Sequence, residues 1–325
     1  MGEALEYSGT SNEADVVVLA IGGNALAPEG GADASAQAAR AEHVADAVMR
    51  VRASGRRVLI VHGNGPQVGA LALAQEAVSR EVPPLPLDLL GAMTQGQVGV
   101  QLSRAIGDRL EASEGARPVV ALVTQIVVDA ADPAFGAPTK PIGPFFPEGR
   151  SRRLADARGW SVAEDSGRGW RRVVPSPIPL EIVEWPQIAT LLDAGQVVIA
   201  AGGGGVPVVR TPQGLCGVEA VIDKDLAAAR LGALVGASML ILATGVDRVM
   251  LDFGTPDERP LDAMDTAEAR QHMADGQFPP GSMGPKVDAA IRFVEDGGGT
   301  AVIASLEGAA ETLDGRGGTR VVPAS

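Results

Sequence analysis

Apolar residues run unbroken from Val16 to Ile21 and stop at Gly22-Gly23-Asn24. A continuous run, rather than an alternating one, predicts a strand buried on both faces, as in a parallel sheet covered by helices. The same pattern recurs at 57–61, ending in His62-Gly63-Asn64-Gly65, at 196–201, ending in the Gly202–Gly205 run, and at 238–243, ending in Thr244-Gly245. Helical spacing fills the intervals: Ala34–Arg52, 66–79 with Pro66 suited to a first turn, 89–110, 225–234 and 285–295. Further strands are predicted over 119–128, with Thr124 and Gln125 inside, over 300–304 and over Thr319–Val322. This βα rhythm predicts an α/β fold with a mostly parallel sheet and helices on both faces.

One stretch breaks the rhythm. Residues 129–179 are rich in Pro, Gly and Arg, with a short helix predicted over 151–159 and a strand over 171–174. Phe135, Phe145, Phe146, Trp160 and Trp170 fall there and argue for packing, so the stretch reads as an inserted subdomain or lid within one domain spanning 16–325. Residues 1–15 carry Glu3, Glu6, Glu13 and Asp15, lack a basic-then-apolar signal pattern, and read as a disordered lead.

Composition narrows the function. The chain is 46% hydrophobic but only 3% aromatic, which makes its core one of Val, Ala, Leu and Ile. A net charge of -13 argues against a nucleic-acid partner, which needs a basic face. An anionic substrate must then meet a local cluster of positive charge. The single cysteine, Cys216, allows no intrachain disulfide and points to a reducing compartment; with three scattered histidines it offers no metal-ligand spacing, so no protein metal site is expected. No apolar run reaches bilayer length, and a soluble, cytoplasmic protein is expected.

Of 27 basic residues only three are lysine: Lys140, Lys224 and Lys286. Each sits in a turn motif, Pro138-Thr139-Lys140-Pro141, Asp223-Lys224-Asp225 and Gly284-Pro285-Lys286. Ammonium groups beside glycine-rich loops suit a transferring phosphoryl group. Four glycine loops at strand ends add an anion or nucleotide crevice, since glycine lets backbone amides approach phosphate and ligands bind at the carboxyl ends of parallel strands. No G-x-x-x-x-G-K-[ST] is present, and the Gly63-x-Gly65-x-x-x-Gly69 spacing is followed by a proline loop and a helix rather than a strand bearing a ribose-binding acid. Asp225 reads as a plain helix N-cap or, with Asp223, as a group orienting Lys224 or Mg²⁺ through water. His62, beside a glycine loop, reads as fixing backbone rather than as an acid or base, because transfer to an anionic acceptor removes no proton.

The segments Ala20–Ala25, Val61–Gly69, Pro86-Leu87-Asp88, Gly91–Gly96, Asp132–Lys140, Arg171–Pro177, Gly202–Gly205, Gly217–Asp225 and Gly281–Lys286 resemble, in order, the motifs of the carbamate kinases, within the amino-acid kinase fold. The resemblance runs from about Val16 to Val322. It implies a three-layer α/β/α sandwich with a small protruding subdomain, a homodimer, and reversible Mg²⁺-dependent transfer between carbamoyl phosphate plus ADP and ATP plus carbamate. By position it implies that Gly22, Gly23, Asn24, Gly63, Asn64 and Gly65 line the carbamoyl phosphate pocket. Lys140 reaches in from the subdomain, and Lys224 and Lys286 flank the phosphoryl group with Asp223. The nucleotide side takes Gly203, Gly204, Asp225, Thr244, Val246, Asp247, Met283, Gly284 and Lys286. Departures are Gly245, where an acidic or other side chain is common in relatives, and Met250, where they often carry an aromatic one. Two other readings stay open: a kinase of the same fold acting on another carboxylate, and a binding protein for these ligands without turnover.

Overall fold

The computed structural model describes residues 15–26, 34–165, 167–279 and 281–324. The expected lead lies, apart from Asp15, outside the described residues.

From its start the described chain forms β1 (Val16–Ile21), α1 (Gly23–Leu26), α2 (Ala34–Arg52), β2 (Arg57–His62), α3 (Gly65–Ala77), α4 (Leu87–Glu114) and β3 (Val119–Ala121). A middle portion follows: β4 (Gln125–Val127), β5 (Lys140–Phe146), α5 (Glu148–Arg158), β6 (Ser161–Glu164), β7 (Trp170–Val174) and β8 (Glu181–Ile182). Next come α6 (Trp185–Asp193), β9 (Val197–Ile199), β10 (Val206–Thr211), β11 (Gly214–Gly217), α7 (Lys224–Leu234) and β12 (Met239–Thr244). The last portion holds β13 (Met250–Leu251), β14 (Arg259–Pro260), β15 (Ala263–Asp265), α8 (Thr266–Ala274), α9 (Met283–Glu295), β16 (Thr300–Ser305) and β17 (Thr319–Val322).

Eight strands make the central sheet in the order β15-β17-β16-β12-β1-β2-β9-β3, parallel except where β17 meets β16. β1 shows why its run is continuous. Val16, Val18 and Ala20 pack into a core with α7 and α9, whereas Val17, Leu19 and Ile21 pack into another with α2 and α4. Both faces are dry, so every position is apolar. The result is the three-layer sandwich, and its parallel β1, β2, β9 and β12 deliver their following loops to one edge.

The strand expected over 119–128 is two strands. β3 stays in the central sheet beside β9, while β4 joins a four-stranded sheet, β11-β10-β4-β8. The chain leaves the ladder at Thr124, which is fully buried, so its backbone needs other partners. Gln95 of α4 supplies the amide's partner, its Oε1 accepting from Thr124 at 2.9 Å, while the Thr124 carbonyl accepts from the Val206 amide at 2.8 Å and from Gln95 Nε2 at 3.2 Å.

Between β4 and β8, strands β5, β7 and β6 form a small separate antiparallel sheet flanked by α5. Its arginines largely pack on aromatic faces: Arg150 over Phe146, Arg152 over Trp170, Arg168 and Arg171 over Phe145, and Arg158 and Arg172 over Trp160. Such contacts arise about once per 70–80 residues in proteins, so six within one short segment identify its means of cohesion. The sheet meets the main body where Gly143, at φ 74°, crosses α3; a Cβ on Gly69 would lie 2.1 Å from the Gly143 Cα. Only glycine permits that crossing, and it sets the position of Lys140 three residues away.

Candidate active site

A single crevice of about 1560 Å³ opens at the sheet edge where the glycine loops converge. It exceeds the roughly 300–1,000 Å³ of an ordinary ligand pocket, so two small molecules fit in it together. Its lining includes Gly22, Gly23, Gly63, Asn64, Gly65, Gly203, Asp223, Asp225, Thr244, Val246, Met283 and all three lysines. Gly204, Asp247 and Gly284 are missing from the described lining, and each follows a lining residue in sequence. Asn24 occupies the second position of α1.

The loops are locked by close backbone approach. The Gly63 amide donates to the Ile21 carbonyl at 2.8 Å, and a Cβ on Gly63 would stand 2.5 Å from the Gly23 nitrogen. Asn64 donates through Nδ2 to Thr94 Oγ1 at 2.8 Å, and Thr94 in turn donates to carbonyls of its own helix. Thr94 and Gln95, side by side on α4, therefore hold one glycine loop and the β3–β4 break together. Both lie in the Gly91–Gly96 segment, but nothing in its spacing assigns them these partners.

His62 is 1% exposed and burial pushes its pKa down to about 4, so the ring is neutral. Its Nδ1 donates to the Gly63 carbonyl at 3.0 Å. A Cβ on Gly202 would come 2.4 Å from its Nε2. The ring is thus a spacer between two glycine loops.

Three lysines and two aspartates occupy the crevice floor. Asp223, not Asp225, caps α7, with Oδ1 accepting from the Asp225 amide at 2.9 Å. Its other oxygen accepts from Lys140, which β5 brings across from the small sheet. Asp225 takes Lys224 on Oδ1 and Lys286 on Oδ2, the latter at 2.9 Å. Burial alone would raise the Asp225 carboxyl, yet Lys224 and Lys286 together hold it well below the usual carboxylate range. Lys224, with 12% of its side chain exposed, is pushed by burial from 10.5 down to about 8, with Lys286 adding to the push and Asp225 opposing it. Three cations against two carboxylates leave one positive charge unneutralised, in a crevice that the glycine loops also line. Such an arrangement binds a multiply charged anion and stabilises charge that develops on it.

Arg40, Arg168, Arg171 and Arg248 also line the crevice, although Arg168 and Arg171 pair with Asp165 and Arg248 with Asp262 outside its lining. In a chain of net charge -13 the local excess of lysine over aspartate is what favours an anion here. Arg40 and His43, one turn apart on α2, also line the crevice, but on a polar helix face they carry no sequence signal of what they look onto.

Each aspartate oxygen already accepts one hydrogen bond, and among the described residues no group of three His, Cys, Asp or Glu could hold a metal ion. Such a floor fits a divalent cation carried on phosphate oxygens better than one in a protein cage. Among the described residues no helix is long and apolar enough to cross a membrane.

The chain matches the amino acid kinase family over residues 15–305. It is 47% identical over 313 residues to the carbamate kinase of Thermococcus kodakarensis, covering 94% of this chain and 98% of that one. Among solved structures it resembles the carbamate kinase of Giardia lamblia bound to AMP-PNP, with a TM-score of 0.87 at 40% identity over 96% of this chain and 99% of that one. The same Giardia enzyme bound to citric acid gives a TM-score of 0.90 at 39% identity, over 96% and 99% of the two chains.

Proposed function

The chain belongs to the amino acid kinase family and, within it, to the carbamate kinases, and from that premise we propose that it transfers a phosphoryl group reversibly between carbamoyl phosphate and ADP, giving carbamate and ATP. The observation that carries this reading is the meeting of all three lysines of the chain, with Asp223 and Asp225, on the floor of one crevice rimmed by glycine loops.

The transfer runs directly between the two substrates. A β-phosphate oxygen of ADP bonds to phosphorus as the bond from phosphorus to the carbamoyl oxygen breaks, and carbamate leaves with the bonding pair. No proton is removed, which agrees with a neutral, buried His62. In a loose transition state the protein's work is positioning and neutralisation. Lys224 and Lys286 flank the transferring group, and Asp225 keeps both ammonium groups aimed at it. The loops at Gly22-Gly23-Asn24 and Gly63-Asn64-Gly65 hold the carbamoyl phosphate end. Thr244, Val246, Asp247, Met283 and Gly284 take the nucleotide, with Gly203 and Gly204 between the two ends. Mg²⁺ enters as part of the nucleotide substrate and shields charge between the phosphates.

Lys140 comes from the small antiparallel sheet, so it senses how that sheet sits on the main body. Lys140→Ala is expected to raise the KM for carbamoyl phosphate about tenfold or more, the scale of one charge-assisted contact, with a smaller effect on the KM for ADP. Steady-state kinetics with each substrate varied in turn check this, and an unchanged carbamoyl phosphate KM removes Lys140 from the role.

The assembly proposed is a homodimer in the cytoplasm. Leu89, Met93 and Val100 are 44%, 48% and 45% exposed along one face of α4, a 28-residue helix. An apolar stripe of that kind suits a self-complementary interface. Light scattering is expected to give about twice the chain mass, and Met93→Lys to shift it toward one.

The deciding assay follows ATP formation from ADP, Mg²⁺ and carbamoyl phosphate, with acetyl phosphate as competing donor. Rapid ATP formation with strong preference for carbamoyl phosphate is expected. Indifference between donors indicates another acyl-phosphate kinase, and tight binding without turnover indicates a sensor; either result sinks the proposal.

A further inference from the structure

One carboxylate outside the crevice lining joins three of the parts that build the site. Glu219 lies between β11 and α7, four residues before Asp223, and neither it nor Arg172 lines the crevice. Its Oε1 accepts at 2.7 Å from the amide of Leu87, the first residue of α4. A helix start leaves such amides without partners, and Pro86, in the cap position, has no side-chain acceptor to offer. Its Oε2 pairs with the Arg172 guanidinium of β7 at 3.4 Å. With 54% of the Glu219 side chain exposed, that ion pair adds little to stability.

Strand register shows what the pair controls instead. On the paired strands β5 and β7, Lys140 stands opposite Val174 and Ile142 opposite Arg172, so all four side chains project from one face of the small sheet. That face is turned to the main body, since Ile142 and Val174, each 3% exposed, cluster with Val68, Leu87 and Leu90. Around this apolar contact the sheet sends two cations to one segment, Lys140 to Asp223 and Arg172 to Glu219. Between those two acids the Val221 amide donates to the Pro175 carbonyl at 2.9 Å. Apolar contact is non-directional and tolerates a small slide, whereas directional bonds at both ends of a short segment do not. The other arm of Glu219 reaches α4, whose Thr94 holds Asn64.

We propose that Glu219 is a positioning residue for the reaction, fixing the small sheet through Arg172 so that Lys140 meets carbamoyl phosphate at the right depth. The inference rests on the proposed kinase reaction and on the place given there to Lys140. Glu219 touches no substrate, and its effect passes through Lys140, because Lys224 is held separately by the Asp223 cap and by Asp225.

The test compares Glu219→Ala, Glu219→Gln, Lys140→Ala and the double variant of Glu219→Ala with Lys140→Ala in the full-length enzyme. Glu181→Ala is the control, removing a carboxylate of similar exposure that pairs with Arg210. Glu219→Ala is expected to raise the KM for carbamoyl phosphate roughly threefold to tenfold, within the limit set by losing Lys140 itself. The kcat at saturation and the KM for ADP stay near wild type, a split that general loosening of the fold does not produce. Glu219→Gln keeps an acceptor for the Leu87 amide and drops only the charge facing Arg172, so it folds as wild type does and shows most of the same rise. In the Lys140→Ala background, Glu219→Ala changes nothing further, since a residue acting through another has no effect once that other is gone. A carbamoyl phosphate KM within about twofold of wild type in Glu219→Gln, or effects that simply multiply in the double variant, overturns the proposal. Calorimetric titration of carbamoyl phosphate into the same proteins reads the same cycle without turnover, so failure of this inference and failure of the kinase reaction are told apart.

Discussion

Replacing Lys224 with alanine is expected to lower ATP formation from ADP and carbamoyl phosphate by about 10²–10³ in kcat, the cost of deleting one preorganised transition-state partner. The size follows from where the group is held. Lys224 is the first residue of α7, its backbone fixed by the Asp223 cap, and its ammonium is pinned by Asp225 inside a floor from which water is largely excluded. A charge that needs no reorganisation in a dry site is worth far more than the same charge in water. Most of the loss belongs in kcat, because charge accumulates on the equatorial oxygens only as the phosphoryl group transfers. Lys224→Arg is expected to recover little, since a planar fork cannot replace a point charge wedged between Asp225 and Lys286. Turnover of Lys224→Ala within tenfold of wild type would remove the residue from this role.

The same site sets a pH dependence. The Lys224 ammonium, at about 8, lies below its ordinary 10.5, so it loses its proton as pH rises through about 8. Only the charged form neutralises phosphate, and kcat/KM therefore falls on the alkaline side by up to tenfold per pH unit. The sign for stability is the opposite. Between about 8 and 10.5 the unfolded chain holds this proton and the native chain does not, so this group makes stability rise with pH across that window. Asp225, depressed by its two lysines, contributes stability that is present above the ordinary carboxylate range and lost as pH falls through the lower native value.

How much of this was legible in the chain depends on whether a feature is local. β1 was legible because a strand with two dry faces has no polar position to confuse it, and the loop after it declares itself through glycine. The lysines were legible because arginine replaces them everywhere else. The break at Thr124 was not, because what makes it tolerable is Gln95, a residue of another helix nearly thirty positions earlier. The β10–β11 hairpin hid behind Pro207, which demotes a run to non-strand unless it is known to lie in a small outer sheet. Helix α8 carries its signal in Asp265-x-x-Glu268, a capping box that forms as such. Pairing of Lys140 with Asp223 joins residues 83 positions apart through the packing of a separate sheet, and no window of sequence contains it.

Gly204→Ala is expected to be among the most damaging single-atom additions in the molecule. At φ 90° a Cβ already costs about 1–2 kcal/mol. It would also stand 2.1 Å from the Ile222 carbonyl oxygen and 2.7 Å from its carbon. These are backbone atoms, which cannot rotate away as a side chain can, so overpacking adds about 1–3 kcal/mol. The sum, about 2–5 kcal/mol, is a large share of the roughly 5–15 kcal/mol that separates native from unfolded states. At Gly203, by contrast, the obstructing atoms belong to the Asn64 side chain, which can move at the expense of its bond to Thr94. Gly149→Ala, in α5 with only an arginine end 3.7 Å away and no left-handed backbone, is the neutral control. Whatever relief the Gly204 variant finds must push on Ile222, one residue before Asp223, so the lysine floor shifts with it. Urea unfolding of the three variants checks the order: a clear drop in midpoint for Gly204→Ala, a smaller one for Gly203→Ala, none for Gly149→Ala. A Gly204 variant of normal stability that binds no ADP would mean that the glycine is there to let the nucleotide approach, and that the packing argument against Ile222 is wrong.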